Sequence, residues 1–445
     1  MVISYDEDVI RSEAVALLRD LLRVDTSNPP GNETPAAELL QRYLEGAGIA
    51  CELVARDPLR ANLVARIPGA GDGPTLTLLG HTDVVPADEP NWTHPPFDGH
   101  LDEAGYMWGR GATDMKNETA TRAVTMALLA RGGFRPRGDL WFVAQADEED
   151  GCYEVGLKWL RDARPEIGSD FSIDEGGGIR QELTDGRVMV PIIVGEKATL
   201  PVLLTAVGAA GHASIPGASD NAVLRLATLL GRIGKYRPRR SLLPETRRLL
   251  ETLIGPLGDD LDRDLDRDLD RAVALEPGSR HDLLALFATT IAPTRLRGSS
   301  ARNVIPGRAS AELDCRVLPG TTPDDLLAEL REALGDDVAY ELEVLEEPTG
   351  GTAAPIDTAL FTACSSWFAE HEPEVTLLPV ISTGFTDSHF MRERFGTVAY
   401  GIWPVRATPL DVYNSGFHNV DERIHVDDLV LATKFHLHVV QTLLG

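Results

Sequence analysis

The segment GHTDVVP sets His81 and Asp83 two residues apart at the end of an unbroken apolar run, TLTLLG. Residues at that spacing on an extended chain point to the same side. An acid there can support an imidazole from behind, fix its tautomer and raise its basicity as a metal ligand. The plainer reading is a histidine hydrogen-bonded within a turn. GRGATDMKN places Asp114 after a glycine-rich loop and just before a helix, where an N-cap aspartate is the plainer reading. ADEEDG puts Asp147, Glu148, Glu149 and Asp150 in a row after the apolar segment DLWFVAQA. Four adjacent acids beside a buried strand are costly unless a cation neutralises some of them. Neighbouring carboxylates also project differently, so one can ligate a metal while the next faces a reacting water; a solvated acidic turn is the competing account. DFSIDEGGG ends a strand on Asp174 and Glu175, with glycines that permit close backbone approach. SGFHNVDERIHVDDL places His418, one of 11 histidines, in a loop before the terminal helix. Histidine and several carboxylates without cysteine suit a hydrolytic zinc or related divalent site with open coordination positions.

The elements that must hold these residues alternate. Amphipathic helices are expected over about Glu7–Val24 and Thr34–Ala47, strands at Ala61–Ile67 and Thr75–His81, and a helix over Met115–Arg131. A strand over Asp139–Ala146, a helix near Tyr153–Arg161 and a strand ending at Glu175 follow. This order predicts an α/β fold with a mostly parallel central sheet and helices on both faces. Each acidic cluster then falls at a strand's carboxyl end, where open α/β sheets gather their ligands. After about Gly195 the pattern changes. KATLPVLLTAV, LLALFATTIAP, GRASAELDCRVLP and VAYELEVLEE read as strands, and Asn221–Tyr236 and PDDLLAELREAL as helices. That β-α-β-β-α-β order is ferredoxin-like. The expected domains are 1–195 and 348–445, together forming a discontinuous first domain, with an inserted α+β domain at 196–347. Within the insert, LDRDLDRDLDRA (Leu261 to Ala272) reads as a solvated helix laced by i,i+4 pairs.

Composition narrows the class further. A chain of 445 residues has room for two or three domains. A formal net charge of −27 argues against a nucleic-acid partner and against an anionic membrane surface. No window of 18 uninterrupted apolar residues suggests a transmembrane helix, and the acidic opening stretch does not read as a secretory signal. Cys51, Cys152, Cys315 and Cys364 are scattered without a C-x-x-C pair, which suits a reducing compartment and predicts a cytoplasmic location.

GHTDVVP, GRGATDMKN, DEEDG, DEGGG, GHAS, RNVIPGR and FHNVDER occur in an order that resembles the di-zinc aminoacylase and carboxypeptidase family. That family includes acetylornithine deacetylase, succinyl-diaminopimelate desuccinylase, aminoacylase and glutamate carboxypeptidase. The similarity runs from about Leu17 to the C-terminus, and VDTSNPPGNE is most similar to the carboxypeptidase S branch. The resemblance implies a zinc-aminopeptidase-like catalytic domain with an inserted lid and dimerisation domain. It implies two zinc ions, with cobalt or manganese as substitutes, held by His81, Asp114, Glu149, Glu175 and His418. Asp114 would bridge, Glu149 would share a metal with His418, and Glu175, with Asp174 as the alternative, would share one with His81. Glu148 would be the general base, and Asp83 the acid behind His81. A cis peptide after Asp114 is a further implication. His212, in GAAGHAS, would stabilise the oxyanion on domain closure or from a neighbouring subunit, and Asn303 and Arg316 would bind the substrate's end. A surface ion pair is the plainer reading of Arg316. In STGFTDSHFM, His389 stands where relatives often carry arginine, and an imidazole cannot bind a carboxylate by a two-pronged fork. The implied activity is hydrolysis of an amide bond in a small peptide or N-acyl amino acid, by a deacylase, dipeptidase or carboxypeptidase. The partners are then a small-molecule substrate and a second copy bound through the lid. The alternative is an inactive relative that binds metal or ligand.

Overall fold

A computed structural model describes residues 5–87, 89–151, 154–258, 261–275 and 280–445. Cys152 and the start of the helix expected at Tyr153 lie outside the described residues; the helix there spans Leu157–Ala163. The chain folds as two compact units, one of residues 1–194, 354–380 and 386–445, the other of 195–353 and 381–385.

In the first unit, the strands Leu140–Gln145, Leu76–His81, Phe171–Asp174 and Val398–Gly401 lie side by side in that order, each parallel to its neighbour. Antiparallel strands extend this centre: Asn62–Ile67 and then Ala50–Val54 on one side, Val188–Glu196 on the other. Val188–Glu196 is not among the strands read from sequence. Alternation along the central strands serves two apolar layers. Leu76, Leu78, Leu140, Phe142, Ala144 and Ile173 face a large core shared with the helices Glu7–Leu22, Thr34–Gly46, Lys116–Arg131, Ala359–His371 and Val426–Leu444. Leu79, Trp141 and Val143 face Leu157 and Leu160 of the short helix and Met391 of the helix Ser388–Phe395. A strand covered on both faces needs no polar alternation, which is why TLTLLG reads as a continuous apolar run. Parallel neighbours also share one carboxyl edge. His81, the acids after Gln145 and the acids from Asp174 onward therefore emerge together.

In the second unit, the strand Arg308–Val317 pairs antiparallel with Thr290–Arg297 on one side and with Ala198–Thr199 and Val202–Val207 on the other; Tyr340–Val344 lies beyond Val202–Val207. Ala309, Ala311, Leu313, Cys315 and Val317 turn inward at every second position. They meet Leu226 and Leu229 of the helix Ala222–Ile233 and Leu326, Leu330 and Leu334 of the helix Pro323–Leu334. Two sequence expectations are corrected here. LLALFATTIAP is a helix, Arg280–Ala285, followed by the strand Thr290–Arg297, rather than one strand. The LDRD repeat is helical over Leu261–Leu275 but not wholly solvated: Leu269 and Ala272 are buried, and its described ion pairs include Asp264–Arg267 and Asp268–Arg271 at i,i+3 and Arg240–Asp266 from outside the helix.

Candidate metal centre

The first unit brings seven of the sequence-predicted residues together. His81 is fully buried at the end of its strand. Its Nε2 lies 3.2 Å from Asp114 Oδ1, 3.5 Å from Glu175 Oε2 and 3.9 Å from Glu148 Oε2. The other oxygen of Asp114, Oδ2, lies 3.0 Å from Nε2 of His418, and that nitrogen lies 3.1 Å from Glu149 Oε2. One carboxylate thus stands between two imidazoles, and each imidazole has a glutamate of its own. Asp114 is not an N-cap: the cap position of the following helix is Met115, with no side-chain cap bond, and the Asp114–Met115 peptide is cis. Of the adjacent pair at the next strand end, Glu175 faces His81, while Asp174 accepts from the Ser388 hydroxyl at 2.9 Å.

Asp83 meets His81 through its main chain as well as its carboxylate. His81 Nδ1 lies 2.9 Å from the Asp83 carbonyl oxygen and 3.5 Å from its carboxylate. The shorter contact is the main-chain one, so Nδ1–H donates to the carbonyl and the Nε2 lone pair is left for a ligand. The Asp83 carboxylate accepts from the Glu148 amide (3.2 Å), the Glu149 amide (3.0 Å) and Asn28 Nδ2 (2.9 Å). It thus shapes the acidic loop as well as standing behind the ring. Behind it, Arg60 donates to both oxygens of buried Glu33 and lies 3.3 Å from Asp147. Asn28, Glu33 and Arg60 carry no metal-ligating pattern, and their partners are distant in sequence. Only the turn-rich TSNPPG stretch hinted that this segment is built for a fixed shape.

The electrostatics fit a cationic occupant. Burial and the neighbouring Glu175 push the Glu148 carboxyl well above its usual range. Burial and Asp114 push Glu149 up to about 7. Burial also raises Glu175. Burial opposes the charged form of Asp114, but hydrogen bonds from His418 and His81 outweigh it and hold its carboxyl below the usual range. Burial likewise opposes charge on His81, and its contacts with Asp114, Asp83 and Glu175 outweigh it. Carboxylates crowded this closely repel one another unless positive charge sits among them. The donor set of imidazole and carboxylate, without thiolate, suits zinc and similar divalent ions.

The other predicted residues have partners of their own. His389 is buried in the first unit, where burial lowers its pKa to about 4; its Nδ1 lies 2.6 Å from the Thr386 carbonyl. His212 and Asn303 come together in the second unit: His212 pairs with Val304 across a two-stranded ladder, and Ala213 donates to the Asn303 carbonyl. Arg316 pairs with Asp314 at 2.7 Å and donates to Thr199 Oγ1 at 2.8 Å.

The chain is similar to known proteins over nearly its whole length. The chain is 31% identical over 429 residues to a succinyl-diaminopimelate desuccinylase of Methylobacterium sp. (strain 4-46), covering 93% of this chain and 92% of that protein. It is 27% identical over 421 residues to aminoacylase-1 of Sus scrofa, covering 93% and 90%. In fold it is similar to an M20 family metallo-carboxypeptidase from Sulfolobus solfataricus, with a TM-score of 0.70 at 20% identity over 97% of this chain and 99% of that one. A Bacillus subtilis structure described as a dinuclear metal-binding peptidase of the same family superposes with a TM-score of 0.58 at 16% identity, over 98% and 99%. The profile of peptidase family M20/M25/M40 matches residues 77–442, which takes in every residue of the two-histidine cluster, and the chain belongs to that family of metal-dependent amide hydrolases.

Proposed function

We propose that the first unit holds two zinc ions and hydrolyses the amide bond of a small peptide or N-acyl amino acid. One observation carries this reading: Asp114 presents one oxygen to each of two histidines, at 3.2 and 3.0 Å. Glu175 completes the His81 side and Glu149 the His418 side. Cobalt or manganese would suit the same oxygen and nitrogen donors. When bound, such ions supply Lewis acidity that acidifies water and polarises a carbonyl. Glu148 is the base in this reading. It stands beside His81 without bridging the two histidines, and its raised proton affinity suits a group that takes a proton from water at Oε2 and hands it to the leaving amine. Asp83 keeps Glu148 and Glu149 in place through their amides.

The second unit serves in this reading as the lid and as the dimerisation domain. His212 is the donor to the oxyanion, and Asn303 and Arg316 hold the substrate's end; His389 replaces a guanidinium that would grip a free carboxylate. The free thiols Cys51, Cys315 and Cys364 suit a reducing, cytoplasmic setting. Nothing in the residue set favours the inactive alternative, since Glu148 and all five ligand candidates are present. The test is hydrolysis of a mixed panel of dipeptides and N-acyl amino acids with added zinc, for the native chain and Glu148→Gln, with metal content measured on both. Turnover is expected to fall about 10²–10⁴-fold in the variant with metal retained. Absence of metal from the native chain would overturn the reading.

A further inference from the structure

The Glu422 carboxylate is fully buried and accepts hydrogen bonds from five donors of one short segment. Its Oε2 takes Arg110 Nη1 at 2.7 Å, and the Gly111 amide is shared between the two oxygens at 3.1 Å from each. Its Oε1 takes the Thr113 amide at 2.7 Å, the Thr113 hydroxyl at 3.0 Å and the Asp114 amide at 3.1 Å. The Glu422 carbonyl takes a further bond, from the Gly109 amide at 3.0 Å. Gly111 has φ +94°, and a Cβ there would meet Lys116 Cδ at 2.9 Å, so the loop is shaped by glycine to wrap the carboxylate. The residues so joined are far apart in sequence. One segment ends at Asp114, and the other carries His418 four residues before Glu422.

We propose that Glu422 is a positioning residue that sets the Asp114–His418 separation and thereby governs affinity at one of the two metal positions. This rests on the two-metal reading above. The asymmetry comes from what holds each side. His81 terminates a strand flanked on both sides by parallel neighbours, and Glu175 follows directly on one of those neighbours. His418 lies in a loop between the helix Leu410–Gly416 and the strand Arg423–His425, and its side chain is 53% exposed. Besides its direct contact with Asp114, its segment is tied to the 110–114 loop through the Glu422 carboxylate. A glutamine cannot replace that group: its one oxygen serves one cluster of donors, and its NH₂ then faces the other, donor against donor.

The experiment titrates zinc into the metal-stripped full chain against a chromophoric chelator, giving stoichiometry and two dissociation constants. The native chain, Glu422→Gln and Thr113→Val are compared. His418→Ala, which lacks a ligand of the position in question, identifies the constant belonging to it. In Glu422→Gln that constant is expected to rise about 10–100-fold, as when an outer hydrogen-bonding partner of a ligand is lost, with the other constant unchanged. Thr113→Val removes one hydroxyl contact and keeps the amides, so it weakens the same position by less; it decides the matter if Glu422→Gln does not fold. Native-like constants in both variants, or equal weakening of both positions, would overturn the proposal. A native chain that binds fewer than two ions would instead overturn the two-metal reading.

Discussion

Asp114 has an imidazole nitrogen at each carboxylate oxygen, and that shared position, not its place before a helix, decides its chemistry. His212 is defined in the same way by what faces it. Its Nδ1 accepts from the Ser214 amide at 3.2 Å, with the Ser214 hydroxyl at 2.7 Å, so the neutral ring carries its proton on Nε2 and offers a donor there. If that donor meets the oxyanion, His212→Ala lowers kcat about 10²–10³-fold while metal content stays native. Steady-state kinetics with metal analysis check this, and an unchanged kcat would remove His212 from the mechanism. Much of the site was legible because its residues sit where strand periodicity ends: His81 after TLTLLG, Glu148 and Glu149 after DLWFVAQA, Glu175 after DFSID. Of the adjacent acids there, Glu175 faces His81 and Asp174 takes the Ser388 hydroxyl. Asn28, Arg60 and Glu422 were not legible. They act through partners that only folding brings near, Asp83 for Asn28 and the 110–114 loop for Glu422.

The helix Val426–Leu444 shows how an element can carry a pH dependence unrelated to catalysis. His436 is fully buried on it, with no hydrogen-bond partner on either ring nitrogen, and burial lowers its pKa well below the usual value. The folded state keeps the ring neutral, while the unfolded chain takes up a proton below about pH 6.5. Stability is therefore lost as pH falls below that value. His389, lowered to about 4, adds to the loss over the same window. His436→Leu is expected to flatten this slope and to unfold at higher urea, in urea titrations at pH 7.5 and pH 5. An unchanged difference between the two pH values would show that His436 does not carry it. Element placement itself was legible where one period dominates, as in Arg308–Val317 with its strict alternation. It failed at LLALFATTIAP, where an apolar run of that length fits a helix turn and a strand equally well, and tertiary contacts split it into Arg280–Ala285 and Thr290–Arg297.

At the scale of the whole molecule, each unit has its own apolar core, and every proposed metal ligand belongs to the first. A ligand that binds the native state alone stabilises it by RT ln(1 + [L]/Kd), about 2.7 kcal/mol at a hundredfold excess over Kd. Zinc is therefore expected to raise the unfolding temperature of the first unit and to leave that of the second in place. Leu313→Ala identifies the second unit's transition, because Leu313 is fully buried in that core and its truncation costs about 2–5 kcal/mol. The increment also has a direction in pH. Ligands must be deprotonated to bind, and Glu149 without a cation holds its proton up to about pH 7. The zinc-dependent gain is thus full above that value and shrinks as acid returns the proton. Scanning calorimetry with zinc and with EDTA, at pH 8 and pH 6, for the native chain and Leu313→Ala, reads both effects. Zinc moving only the transition that Leu313→Ala leaves alone, and moving it further at pH 8, is the expected result. Zinc moving the Leu313-marked transition would place the metal's influence in the second core and contradict a centre built wholly from the first.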